Sequence, residues 1–151
     1  MTGGRTSRRS GRECEPVVEL RWTGRSAADP VKGWVPTEDF AIVAADVTVG
    51  AIVLRLGDTE SLRRYGGQVG YRVAPTHQRR GYATEALRLL MPIAVTHGFA
   101  ELWVTCRPGN IASRRVLEKA GARFVEVVKT PTDSDLFARG DWEMCRYLLE
   151  L

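Results

Sequence analysis

The stretch best suited to chemistry is Val69–Thr84, which reads VGYRVAPTHQRRGYAT. A β-branched run, Val69–Val73, is ended by Pro75, and a helical pattern opens at Gly81. The first-turn N–H groups of a helix have no internal partner, and the dipole adds about half a positive charge there. Such an end attracts anions. Gly81 and Ala83 let an anion approach the backbone closely, and Gln78, Arg79 and Arg80 add donors around the entrance. A pyrophosphate is a natural guest. The segment has neither the GxGxxG of dinucleotide folds nor the GxxxxGK of nucleotide triphosphatases. Taken alone, a glycine before a helix is more often a simple turn.

The elements that must hold this cradle are legible from periodicity. Val17–Trp22 predicts a short strand. Residues 23–38 give no helix. Phe40–Ala45 and Val49–Leu56 predict a hairpin closed near Asp46. Gly57 to Gly67 reads as a loop with one helical turn at Ser61–Tyr65, and Val69–Val73 as the next strand. A helix follows from Gly81 to His97, its buried face marked by Ala83, Ala86, Leu87, Leu90 and Ala94 and its end by Gly98. Pro92 lies inside it and should remove one hydrogen bond and kink it. Leu102–Cys106 is a strand, Ile111–Ala120 a helix closed by Gly121, and Phe124–Val128 and Trp142–Leu149 are final strands joined by a polar loop. This order predicts an α/β (α+β) fold, a mixed sheet with helices packed on it.

Bulk properties narrow the function. The 151 residues and 44% hydrophobic content suit one domain, expected to span 16–151 after an unstructured basic tail at 1–15. No apolar run is long enough to cross a bilayer and no secretory signal opens the chain, so a cytoplasmic location without membrane association is expected. The scattered Cys14, Cys106 and Cys145 and only two histidines argue against a disulfide framework or a metal site. The formal charge is +4, but without Arg5, Arg8, Arg9 and Arg12 the chain holds 18 basic and 18 acidic residues. The excess belongs to the tail, and nucleic acid is not expected as a partner.

Gln78-Arg79-Arg80-Gly81-Tyr82-Ala83 resembles the Q/R-x-x-G-x-G/A signature of the GNAT superfamily of N-acetyltransferases. Asn110-Ile111-Ala112-Ser113 through Glu118-Lys119-Ala120-Gly121 is similar to that family's later helix, N-x-x-S…E-K-x-G. Gly66 to Pro75, GGxxGYxVxP, looks closest to a branch of predicted acetyltransferases. The resemblance implies a mostly antiparallel sheet splayed at its centre, with helices on both faces, and acetyl-coenzyme A as cosubstrate. The amides of Arg79, Arg80, Gly81, Tyr82, Ala83 and Thr84 would take its pyrophosphate. The pantetheine arm would pair with the strand at Tyr71, Arg72 and Val73, the Val73 N–H facing the thioester carbonyl. Asn110 would contact the arm and Ser113 lie near the sulfur; Asn110 also suits a helix cap.

The sequence departs from the family in three places. Where many members carry a tyrosine acid it has Leu117, and near the position of a glutamate base it has Gly67. Tyr71, Tyr65 and Cys106 are substitutes, and Ser113 completes the candidate catalytic set of Ser113, Tyr71 and Cys106. Glu38, Asp39, Asp58 and Glu60 are candidates for the acceptor mouth, and Arg55 for an acidic acceptor or a plain surface ion pair. The N-terminal elements are also shortened, so the acceptor site is open or is completed in a homodimer. The resulting expectation is direct acetyl transfer to a primary amine of a small molecule or peptide. A catalytically silent acyl-coenzyme-A-binding module is the alternative.

Overall fold

The computed structural model describes residues 16–151. The expected tail, 1–15, and Cys14 lie outside the described residues. Two antiparallel sheets form. The first has the order β1-β2-β3-β4, from Glu19–Ser26, Thr37–Ala44, Val47–Arg55 and Val69–Val73. The second has the order β5-β7-β6, from Glu101–Cys106, Glu143–Glu150 and Arg123–Lys129. Helix α1 is Tyr82–Thr96, α2 is Ile111–Lys119 and α3 is the short Asp135–Ala138.

The β2–β3 hairpin turns at Ala45 and Asp46, both left-handed (φ 50° and 63°). That is the geometry a two-residue hairpin turn needs to match strand twist. Strand β1 starts later and runs further than Val17–Trp22. Its limits follow its partner, from Glu19 opposite Val43 to Ser26 opposite Thr37, with a bulge at Trp22/Gly24. Cross-strand pairing, which local alternation does not report, sets where an edge strand stops. The polar loop before β7 forms α3, capped by Ser134, whose side chain accepts the Phe137 N–H.

One core joins both sheets and both long helices. Ile42, Ile52 and Leu54 meet Ala86, Leu87, Leu90 and Ala94 of α1. Leu102, Val104, Cys145, Tyr147 and Leu149 continue the same core to Leu117 of α2. Helix α1 runs through Pro92 to Thr96, so the proline costs a hydrogen bond without ending the helix. Ala83, expected on the buried face, is only half-buried, and Thr84 takes the buried place beside it.

Alternation places the remaining side chains on the other face. There Thr105 Oγ1 donates to the Tyr65 carbonyl and Arg146 Nε to the Arg63 carbonyl, tying down one π turn, Leu62–Gly66. Residues 27–36 contain only a turn closed by an Asp29–Trp34 bridge. Among the described residues no helix covers Ala41, Ala51, Val53 and Arg55, which are half-buried on that face.

Candidate active site

Strand β4 delivers the chain to the cradle. A 3-10 turn at Pro75–His77 follows, and then Arg79 and Gly81 both take left-handed φ, 66° and 82°. Gly81 is the N-cap of α1, and a Cβ there would lie 3.3 Å from Pro16 Cδ. Among the described residues the N–H groups of Arg79 through Thr84 have no backbone acceptor; the first bond of the helix is Glu85 N–H to the Gly81 carbonyl at 3.1 Å. Arg79 and Arg80 are exposed beside these orphan donors. The Gln78 side chain does not join them: its Nε2 donates to the Val73 carbonyl at 2.9 Å and holds the loop against the strand. Thr84 is buried, leaving only its N–H on offer. His77 is half-buried, with its ring 6.5 Å from that of Tyr82.

The free edge of β4 leads away from this cradle. Arg55 N–H donates to the Gln68 carbonyl and Ala74 N–H to the Val49 carbonyl, each at 2.8 Å. Bonding residues alternate along an antiparallel pair, so Gly70 and Arg72 also face β3. The amides of Val69, Tyr71 and Val73 therefore point to the opposite edge, toward β5. No ladder joins β4 to β5. Gln68 bridges them at one end, where its N–H donates to the Trp103 carbonyl at 2.7 Å. Its buried side chain accepts the Trp103 N–H and donates to the Gly57 carbonyl, both at 2.8 Å. Beyond that stitch no backbone hydrogen bond joins the two strands among the described residues.

A cleft of about 400 Å³ occupies the gap. One wall comes from the helix side: Tyr71, Cys106, Asn110 and Ser113. The Tyr71 hydroxyl lies 2.7 Å from Ser113 Oγ. Burial pushes the Tyr71 phenol up to about 12, only partly offset by the bond to Ser113. Asn110 caps α2, its Oδ1 accepting the Ser113 N–H at 3.1 Å, and this fixes where Ser113 sits. Burial, with Cys145 nearby, pushes the Cys106 thiol up to about 11.

The other wall comes from the open face: Arg55, Gly66, Gly70, Thr105, Leu136, Arg139, Asp141 and Met144, with Arg107 at the rim. Of these only Arg55 was legible as a candidate. Leu136, Arg139 and Asp141 reach the cleft through α3, which no spacing signalled. Glu38, Asp39, Asp58 and Glu60 do not line it. Glu38 is buried elsewhere, bound by Arg25, Trp22 and His97. Gly67 (φ 75°) packs so closely on β5 that a Cβ would come 3.0 Å from Thr105 N, so a glutamate there would be strained in both backbone and packing. Leu117 is wholly buried in the core.

A strand carrying a free edge, a helix start of unpaired N–H groups beyond it and a neighbour with no ladder to it are the arrangement expected of a coenzyme-A-dependent acyltransferase fold. The chain belongs to the GNAT acetyltransferases: residues 8–123 match the family model described as an acetyltransferase (GNAT) domain. It is 36% identical over 61 residues to the uncharacterised N-acetyltransferase YnaD of Bacillus subtilis (strain 168), covering 37% of this chain and 34% of YnaD. Among solved structures it resembles Mycobacterium smegmatis RimJ in complex with CoA-disulfide, with a TM-score of 0.60 and 26% identity over 76% of this chain and 53% of RimJ. A GNAT-family acetyltransferase from Bacillus anthracis shares the fold, with a TM-score of 0.58 and 23% identity over 74% of this chain and 65% of that one. The chain thus spans between a third and two thirds of the length of these relatives. No described helix is long and apolar enough to cross a membrane.

Proposed function

We propose that this protein transfers the acetyl group of acetyl-coenzyme A directly to a primary amine of a small molecule or peptide. The observation that carries the reading is the continuity of orphan donors, from the cradle at Arg79–Thr84 along the free edge of β4 to the Tyr71–Ser113 pair. The residues fit the cosubstrate: the cradle offers N–H groups to a pyrophosphate, and the edge offers amides to a peptide-like arm. When bound, acetyl-coenzyme A supplies the thioester whose C–S bond breaks as the C–N bond forms.

The chain's own groups do the rest. The Val73 N–H, directed away from β3, would stabilise negative charge growing on the thioester oxygen. Tyr71, protonated throughout the neutral range, would supply a hydrogen-bond donor for the sulfur. A phenol near 12 does not readily hand its proton to a thiolate whose ordinary pKa is about 8.5, so the proton reaching sulfur comes from the attacking amine. Cys106, buried and held as the neutral thiol, stays out of the chemistry. The cleft's single carboxylate, Asp141, is engaged by Arg107 and Arg139. With no free base among the described residues lining the cleft, the reaction suits an α-amine, with a pKa of about 7.7–8.0, better than a lysine-type amine near 10.4.

Thermal unfolding with and without acetyl-coenzyme A, on wild type and Gly81→Glu, tests the binding half. A ligand at a hundred times its dissociation constant adds about 2.7 kcal/mol of stability. The expected result is a shift in wild type that is absent in the variant, whose carboxylate would repel the pyrophosphate. A well-folded wild type with no shift overturns the reading. A second reading, a silent acyl-coenzyme-A-binding module, draws on Leu117 and Gly67 at the places of the family's acid and base. Tight binding without thiol release across a broad amine panel would select it.

A further inference from the structure

We propose that Arg55 is the specificity residue of the acceptor half of the cleft, and that it holds an oxyanion, carboxylate or phosphate, carried by a small amine acceptor. The inference rests on the transferase reading above and adds the substrate class.

Arg55 ends β3 on the face left uncovered by α1. Ile52 and Leu54 point into the core, and alternation sends Val53 and Arg55 the other way. A surface arginine normally finds a carboxylate or water. Arg55 is half-buried, and among the described residues no carboxylate pairs with it, whereas the cleft's other two arginines, Arg107 and Arg139, share Asp141. Its Nη1 donates to the carbonyls of Gly66 (3.3 Å) and Gly67 (3.0 Å), which pins the fork in place. Its Nη2 and Nε have no acceptor among the described residues. The fork lies against Gly70, where a Cβ would come within 2.9 Å of Nη2, so glycine on the facing strand is what lets it lie there.

The charge balance of the cleft points the same way. Its charged lining is Arg55, Arg107, Arg139 and Asp141. Arg107 and Arg139 converge on Asp141 at 3.4 and 2.6 Å, which leaves the wall with a net positive charge and Arg55 as its unpaired member. A guanidinium stays charged in such surroundings, and a charge withdrawn from water without a partner is costly until an oxyanion meets it bidentately. Phosphates of the cosubstrate do not explain it. They belong at Arg79–Thr84, beyond the far end of β4, whereas Arg55 sits beside Gly70 near its start. Arg55, Gly70, Tyr71 and Ser113 line one cleft from opposite walls, so an oxyanion on Arg55 would hold the amine of a small molecule within the space that the Tyr71–Ser113 pair faces.

The test compares matched acceptors with acetyl-coenzyme A: amino acids against their amides, and phosphoethanolamine against ethanolamine, with rates expressed per unprotonated amine. Wild type should prefer one anionic series over its neutral partner, the carboxylate or the phosphate arm identifying which oxyanion is read. In Arg55→Gln that preference should fall by about 100-fold, mainly through KM. Gly70→Ala, which crowds the fork without removing its charge, should lower the same ratio. The shift in thermal stability with acetyl-coenzyme A should persist in both variants. Acetylation of neutral and anionic amines at equal rates by wild type, or equal loss for both series in Arg55→Gln, overturns the proposal and leaves the transferase reading standing. Failure to bind acetyl-coenzyme A or to acetylate any amine overturns both.

Discussion

The side-chain amide of Gln68 accepts the backbone N–H of Trp103 at 2.8 Å, and this bond closes one end of the gap between β4 and β5. Its Nε2 is engaged at the same time by the Gly57 carbonyl, and the side chain is almost wholly buried. The gap is therefore a built feature, zipped at the Gln68 end and open beyond it. Replacing Gln68 with leucine would leave both backbone groups without partners, at a cost of about 2 kcal/mol or more. The melting temperature should drop by roughly 5 °C or more. Gln68→Glu should not rescue it, because a carboxylate cannot donate to the Gly57 carbonyl. Urea or thermal unfolding of the two variants checks this, and wild-type stability in Gln68→Leu would show that the stitch contributes nothing.

The Tyr71–Ser113 pair predicts a kinetic signature. Tyr71→Phe removes the hydroxyl that the proposed mechanism assigns to the leaving sulfur and should lower kcat about 10- to 100-fold, with little change in the KM for acetyl-coenzyme A. Ser113→Ala should cost less, and the double variant less than the product of the two, because the hydroxyls act as one unit. Since Tyr71 ionises only near 12, wild type and Tyr71→Phe should share the same pH profile up to about pH 10. Steady-state kinetics across pH decide the matter; an unchanged kcat in Tyr71→Phe would remove the phenol from the mechanism.

Glu38 should govern the acid limb of stability. Hydrogen bonds from Arg25 (2.6 and 3.2 Å) and Trp22 (3.0 Å) hold its carboxyl down to about 2, against an ordinary 4.5. A folded pKa below the unfolded one means that the stabilisation is complete above about pH 4.5 and is lost as the pH falls toward 2. Glu38→Gln should therefore be less stable than wild type near pH 6, and the two should converge near pH 2. Denaturant unfolding at a series of pH values reads the difference; a gap that does not depend on pH would assign Glu38 to packing alone.

Local features were open to inspection of the chain. The cradle was legible because the donors of a helix start come from consecutive residues, and glycine at position 81 marks where the chain takes a left-handed turn. The core stripe of α1 and the strand Val69–Val73 were legible because periodicity is a local property. The caps at Gly98, Asn110 and Gly121 belong with them. The free edge of β4 was available only through the family resemblance, since nothing in VGYRV says which amides face which neighbour.

The acceptor half of the cleft was decided by tertiary structure. Arg55, Gly70 and Thr105 come from three strands and Arg139 and Asp141 from one loop, and only the packing of the two sheets brings them together. Glu38 looked the same on paper as Asp58 or Glu60, yet pairing with β1 buries it beneath Arg25 and Trp22. Gln68 carried no signal at all: a glutamine after two glycines becomes a stitch only because β5 arrives beside it. Charge and hydrogen-bonding capacity are written into each residue. Whether they are met by water, by a partner side chain or by a ligand depends on what the fold places within about 3 Å.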